Sequence, residues 1–304
     1  LVIDTSATLQ MSNSQQMSDY NLTVGGDFTL HNGGTYLHGA NSTTFNGEDH
    51  SELIVEDPAS EPALSFAALK IDKENQTNEL TFISSGRSDG SHIATIDSTL
   101  NLNKGVLDYN SYNLHMQGDT IINKGTLGKA DASGRLILNS ASGQQLLINS
   151  PLGDPTYGHL ELNNSNGALL DGDAHMDRFT LSTGIMDIDK YLMSLDTNEV
   201  HGSGFDNSKM IKTAGNASDK GLSMKYNIDP SAVIYPVGTY KPSEGTNVYT
   251  PVSLIIDEAH NDIGFTRIVP IPDYHPSTEL FGSVIDYYWK VKSYGFSNRY
   301  ATAI

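Results

Sequence analysis

Apolar residues fall at every second position over short stretches of this chain. Asn21-Leu22-Thr23-Val24, Asp27-Phe28-Thr29-Leu30, Arg135-Leu136-Ile137-Leu138, His159-Leu160-Glu161-Leu162 and Tyr191-Leu192-Met193-Ser194-Leu195 all follow this alternation. Period two places the apolar side chains on one face of an extended strand. Corner-forming clusters lie between the stretches: Asn32-Gly33-Gly34, Asn46-Gly47, Asn123-Lys124-Gly125 and Asn163-Asn164-Ser165-Asn166-Gly167. Glycine and asparagine tolerate positive φ and so make tight turns. Short strands that each end in such a corner fit the rungs of a β-solenoid better than long hairpins. The residues expected to point inwards and stack from rung to rung are Phe28, Phe45, Leu102, Ile121, Leu138, Leu181 and Ile185. The stretch Ala63-Leu64-Ser65-Phe66-Ala67-Ala68-Leu69-Lys70 is rich in helix formers, but Phe66, Leu69 and Ile71 also suit a strand, and strand is the expectation. Ser84 to Ser91 reads as a projecting loop.

The pattern repeats. Gly26-Asp27-Phe28-Thr29-Leu30-His31-Asn32-Gly33 returns as Gly118-Asp119-Thr120-Ile121-Ile122-Asn123-Lys124-Gly125. Thr44-Phe45-Asn46-Gly47 returns as Ile137-Leu138-Asn139-Ser140, and Leu102-Asn103-Lys104-Gly105-Val106-Leu107-Asp108 as Leu181-Ser182-Thr183-Gly184-Ile185-Met186-Asp187. Such self-similarity points to a stack in which each unit buries its apolar face against the next. The character changes near Gly202. Pro230, Pro236, Pro242, Pro251, Pro270, Pro272 and Pro276 crowd one region, and proline interrupts ladder hydrogen bonds. The expected organisation is repeats over 1–221, the end of the stack with a cap over 222–279, and a new β domain beginning over 280–304. Trp289 is the expected core aromatic of that last part. The sequence shows no leader motif and reads as a segment of something longer.

Composition narrows the function classes. The 304 residues contain no cysteine, which removes disulfides and thiolate metal sites. Eighteen basic residues stand against 36 acidic ones, a formal charge of −18. Nucleic acid is therefore not an expected partner, since phosphate binding calls for a basic surface. No apolar run is long enough for a transmembrane segment.

The order of these motifs resembles the large surface proteins of Bacteroidetes that are exported by the type IX, gliding-associated, secretion system. The resemblance rests on Val24-Gly25-Gly26-Asp27-Phe28-Thr29, Thr43-Thr44-Phe45-Asn46-Gly47, Leu69-Lys70-Ile71 and Leu100-Asn101-Leu102-Asn103-Lys104-Gly105-Val106-Leu107-Asp108. It extends to Ile234-Tyr235-Pro236-Val237-Gly238, Tyr249-Thr250-Pro251-Val252 and Tyr288-Trp289-Lys290-Val291. It implies a parallel β-helix stalk followed by β-sandwich modules, in a surface or gliding-motility adhesin. The expected fold is thus all-β: a right-handed parallel β-helix (β-solenoid) followed by the start of a β-sandwich module. The expected partners are an extracellular surface or polysaccharide and, during export, the type IX secretion machinery. The expected location is the cell surface, outside the outer membrane.

Candidate chemistry is sparse. The ten histidines form no zinc motif, and no nucleophile elbow or phosphate loop occurs. In Asp171-Gly172-Asp173-Ala174-His175-Met176-Asp177, the carboxylates Asp171, Asp173 and Asp177 are the candidate calcium ligands, because calcium takes oxygen donors; the other reading is a solvated turn. No other cofactor is expected. Tyr109, Tyr112, Tyr157 and Tyr191 are candidates for stacking on sugars or for covering rung ends. Arg87, Arg135 and Arg178 show no clustering, which counts against the alternative of a secreted β-helix polysaccharide lyase or glycoside hydrolase. No catalytic residues are assigned, and the chain is expected not to be an enzyme.

Overall fold

The computed structural model describes residues 1–13, 18–56, 64–85, 92–129, 133–150, 155–226, 232–256, 263–277, 285–296 and 301–303. Among them every regular element is a β-strand, and there is no helix. Most strands belong to one large, mostly parallel sheet. Leu64–Asp72, the stretch with helix formers, is a strand. The loop expected at 84–91 lies mostly outside the described residues, and its first two residues end the strand Glu79–Ser85.

The alternation in the sequence becomes stacked columns because the strands pair in parallel and in register. One column runs Thr43, Leu69, Leu100, Ile121, Leu147, Leu170 through successive pairings. A second runs Phe66, Ile96, Met116, Leu138, Leu162, Leu181. A third runs Leu80, Leu107, Leu127, Tyr157, Met176, Leu195, Met224. All of these residues are buried. A fully buried Leu or Ile contributes about 1.5–3 kcal/mol relative to an exposed one, and each column repeats that gain at every pairing. Six of the seven residues expected inside are buried; Ile185 is half-buried, beside the positive-φ turn at Gly184, and its neighbour Met186 takes the inward place.

Corners carry polar residues in the same registration. Asn123 and Asn149 pair directly beneath Leu102. Both are buried, and both are satisfied. Asn123 Nδ2 donates to Thr156 O at 3.1 Å, while its Oδ1 accepts from Gly125 N at 3.0 Å. Asn149 Oδ1 accepts from the Tyr157 hydroxyl at 2.6 Å. Gln145 Nε2 donates to the carbonyls of Met116 and Gly118, each at 2.8 Å. A buried amide without partners would cost more than the fold gains from it.

Antiparallel pairing joins the sheet after residue 221, although Val237–Lys241 still pairs in parallel with Ile211–Thr213. Gly221–Tyr226 is parallel to Leu192–Leu195 on one side and antiparallel to Gly264–Ile271 on the other. Gly264–Ile271 in turn pairs antiparallel with Tyr288–Tyr294. The boundary expected at 280 falls outside the described residues, and the strand beyond it is hydrogen-bonded to the same sheet. Trp289 packs partly buried against the core and donates from Nε1 to Thr250 O at 2.9 Å.

Leu138 tests the column directly. Leu138→Ala is expected to lower stability by about 2–5 kcal/mol, and Leu138→Asp by more, since it buries an unpaired charge. Urea unfolding followed by circular dichroism measures both; an unchanged midpoint would place Leu138 outside the core.

Candidate functional site

The acidic cluster of the sequence is a bend between two strands, Ala168–Asp171 and Ala174–Thr183. Gly172 makes the bend with φ at 121°, and a Cβ there would meet Asn149 O at 2.5 Å, so no other residue fits without strain. The bend walls a groove of about 810 Å³ whose polar lining includes Asn149, Asp171, Asp173, His175, Tyr191 and Lys220.

The three candidate calcium ligands are not brought to one point. Asp171 accepts the Tyr191 hydroxyl at 2.9 Å, and that bond raises the Tyr191 pKa above its ordinary value. Asp173 accepts Leu192 N at 3.0 Å and is ion-paired with Lys220. Asp177 lies further along the strand, on the outward side with His175. There the register of Ala174–Thr183 with Leu192–Leu195 sets His175 opposite Ser194, and so brings Asp196 beside Asp177. One ligand atom from each of His175, Asp177 and Asp196 lies within 4.8 Å of the others. His175 Nε2 is 3.5 Å from Asp196 Oδ2, and Lys225 Nζ is 3.8 Å from Asp196 Oδ1. Burial is the main cause of a raised Asp177 pKa, and the Asp196 charge adds to it. Asp196 was not legible in the sequence, because only strand register joins it to Asp177.

Three of the four candidate sugar-stacking tyrosines are core residues. Tyr109, Tyr112 and Tyr157 are buried, the first and third with hydroxyls bonded to His159 O and Asn149 Oδ1. Burial raises the pKa of Tyr109 and Tyr157 far above the usual phenol range. Only Tyr191 faces outwards, with the Lys190 ammonium 5.1 Å from its ring centre.

Four carboxylates with little exposure are matched to cations, unlike Asp177 and Asp219. Glu79 and Asp108 share Lys129 at 2.6 and 3.3 Å, Glu161 holds Arg135 at 2.7 Å, and Asp187 holds Lys212 at 2.6 Å. Arg87 lies outside the described residues, and Arg178 stands opposite His159 on the outer face. Burial, with Arg135 and Arg178 nearby, lowers the His159 pKa to about 4. The basic residues do cluster elsewhere. Arg267 stands directly opposite Lys292, and Lys290 lies on the same face of that strand. The sequence reading missed this group because antiparallel register, not proximity along the chain, assembles it.

Comparison with protein-family models, with curated proteins and with solved structures matched nothing.

Two outcomes are expected here. His159 is neutral when folded down to about pH 4, whereas an unfolded histidine takes its proton near 6.5. The unfolded state therefore binds more protons between those values, and stability is lost as pH falls from about 6.5 towards 4. His159→Gln should lose less over that interval in urea unfolding; an identical pH dependence would contradict the burial of the ring. If the bend binds calcium, Asp171→Asn with Asp173→Asn should abolish a calcium-dependent rise in melting temperature, and equal melting of both proteins with and without calcium would refute that binding.

Proposed function

We propose that this chain is a stiff stalk segment of a secreted bacterial cell-surface adhesin, with a part in gliding motility. In this reading the parallel strands wind as a right-handed β-helix over 1–221, since parallel crossovers take that hand. The segment 222–279 ends the stack, and 280–304 begins a β-sandwich module. The observation that carries the proposal is the continuity of the ladder. Nine successive parallel pairings link Leu22–Val24 to Val237–Lys241. At about 4.8 Å each they account for a length of about 43 Å. Every rung is held by hydrogen bonds to its neighbours and by the stacked interior, which suits a spacer that carries load along its axis. Binding to a surface or to glycans would then come from many weak contacts multiplied by copy number, with the type IX machinery as the exporter. The matched carboxylates Glu79, Asp108, Glu161 and Asp187 favour this reading over a polysaccharide-cleaving enzyme, whose acid and base must be left unneutralised.

Antibody raised against this segment should label intact, unpermeabilised cells that make the protein. Labelling absent from cells but abundant in the medium, together with polysaccharide depolymerisation by the purified chain, would overturn the proposal in favour of a released enzyme.

A further inference from the structure

The outward face of the last antiparallel strands concentrates positive charge on a chain that is otherwise strongly acidic. Arg267 on Gly264–Ile271 and Lys292 on Tyr288–Tyr294 are directly opposed. Like charges placed so repel each other, and neither has a carboxylate partner among the described residues. Lys290 sits two residues from Lys292 on the same face. Burial, and then the charges of Lys292 and Arg267, hold its pKa below the usual lysine value. Asp219, a carboxylate close enough to act on Lys290, is itself buried and accepts from Asn216 N at 2.8 Å. The Lys290 ammonium also donates to the Ala217 carbonyl, whereas the opposed Arg267 and Lys292 repel each other at a cost to folding, so the use of that pair is to be sought in a ligand.

Next to the cations lies an aromatic step. Phe265 and Tyr294 are cross-strand partners whose rings stack at 5.3 Å with 9° between their planes. The Tyr294 hydroxyl is fixed by Ser223 Oγ at 2.9 Å, and its residue remains 41% exposed. A shallow depression runs along Arg267, Val291, Lys292, Ser293 and Tyr294. Cations for carboxylate or sulfate groups beside a ring that offers an apolar surface suit a polymer of charged sugars. Duplex DNA fits less well. Its dense charge would meet Asp177 and Asp196 on the same sheet face, across Gly221–Tyr226 from the cations.

We propose that Arg267, Lys290 and Lys292, with the Phe265–Tyr294 stack, form a binding site for an acidic polysaccharide. The proposal deepens the adhesive reading by naming the ligand class and its place, and it rests on that reading for the choice of a polysaccharide.

The test is binding of the whole chain to alginate, a polyuronate, at low and physiological salt, with neutral dextran and duplex DNA alongside. Alginate should bind, neutral dextran should not, and affinity should fall with salt. Arg267→Gln with Lys292→Gln should weaken alginate binding at least tenfold and flatten the salt dependence, while Lys124→Gln, remote in the parallel region, should not. Because the opposed charges repel, the double variant should melt no lower than the original chain, which separates lost binding from lost folding. No binding to alginate at low salt, unchanged binding by the double variant, or DNA bound as tightly as alginate would overturn the assignment. Surface labelling of cells is read separately. A labelled protein without alginate affinity leaves the adhesin reading standing, and an unlabelled one with affinity refutes that reading alone.

Discussion

In-register parallel hydrogen bonding is the constraint on which the rest of this protein depends. Side chains alternate across a strand, and a slip of one residue would turn a whole strand inside out. Leu100 between Leu69 and Ile121, and Leu138 between Met116 and Leu162, show how each inward residue finds like residues on both sides. The buried amides Asn123, Asn149 and Gln145 hold the corners to the same register, because each makes bonds available only from that position. Apolar stacking supplies the energy, and the amides add specificity.

The same register decides what happens outside. Residues far apart in sequence become neighbours on the outer face: Asp177 with Asp196, Lys225 with Asp196, Arg135 with Glu161. On the antiparallel side of Gly221–Tyr226 the face turns from acidic to basic, with Arg267 set against Lys292. A stack of this kind offers long surfaces in place of deep pockets, which is why the chemistry here takes the form of patches and ladders.

Much of the fold was legible in the sequence, because its signals are local. Alternation at Phe28, Leu102 and Leu138 gave the strands and their inward faces, while 64–71, rich in helix formers, is a strand because it pairs in register with Ser42–Phe45 and Ile93–Lys104. Ile185 failed because a one-residue shift after Gly184 hands the inward place to Met186, a shift that periodicity alone does not fix. Tyr109, Tyr112 and Tyr157 were ambiguous for another reason. A tyrosine is buried readily once its hydroxyl has a partner, and those partners, His159 O and Asn149 Oδ1, come from other strands. The site was least legible. Asp171, Asp173 and Asp177 are close in sequence, yet Asp171 and Asp173 are engaged at the bend by Tyr191, Leu192 N and Lys220 while Asp177 lies further along the next strand, whereas Asp196 and the Arg267–Lys292 pair arise only from register.

The chain has no native cysteine, so engineered pairs can report that register without interference. Ile122 and Ile148 are parallel partners on the outward face, and Leu146 lies one pleat away on the same side, opposite Thr120. Neighbouring strands lie about 4.8 Å apart, within the Cα separation that a disulfide spans. Under mild oxidation, Ile122→Cys with Ile148→Cys should cross-link nearly completely, and Ile122→Cys with Leu146→Cys should do so far less. Equal cross-linking of the two pairs, or preference for the second, would contradict the in-register ladder and with it the stalk built upon it.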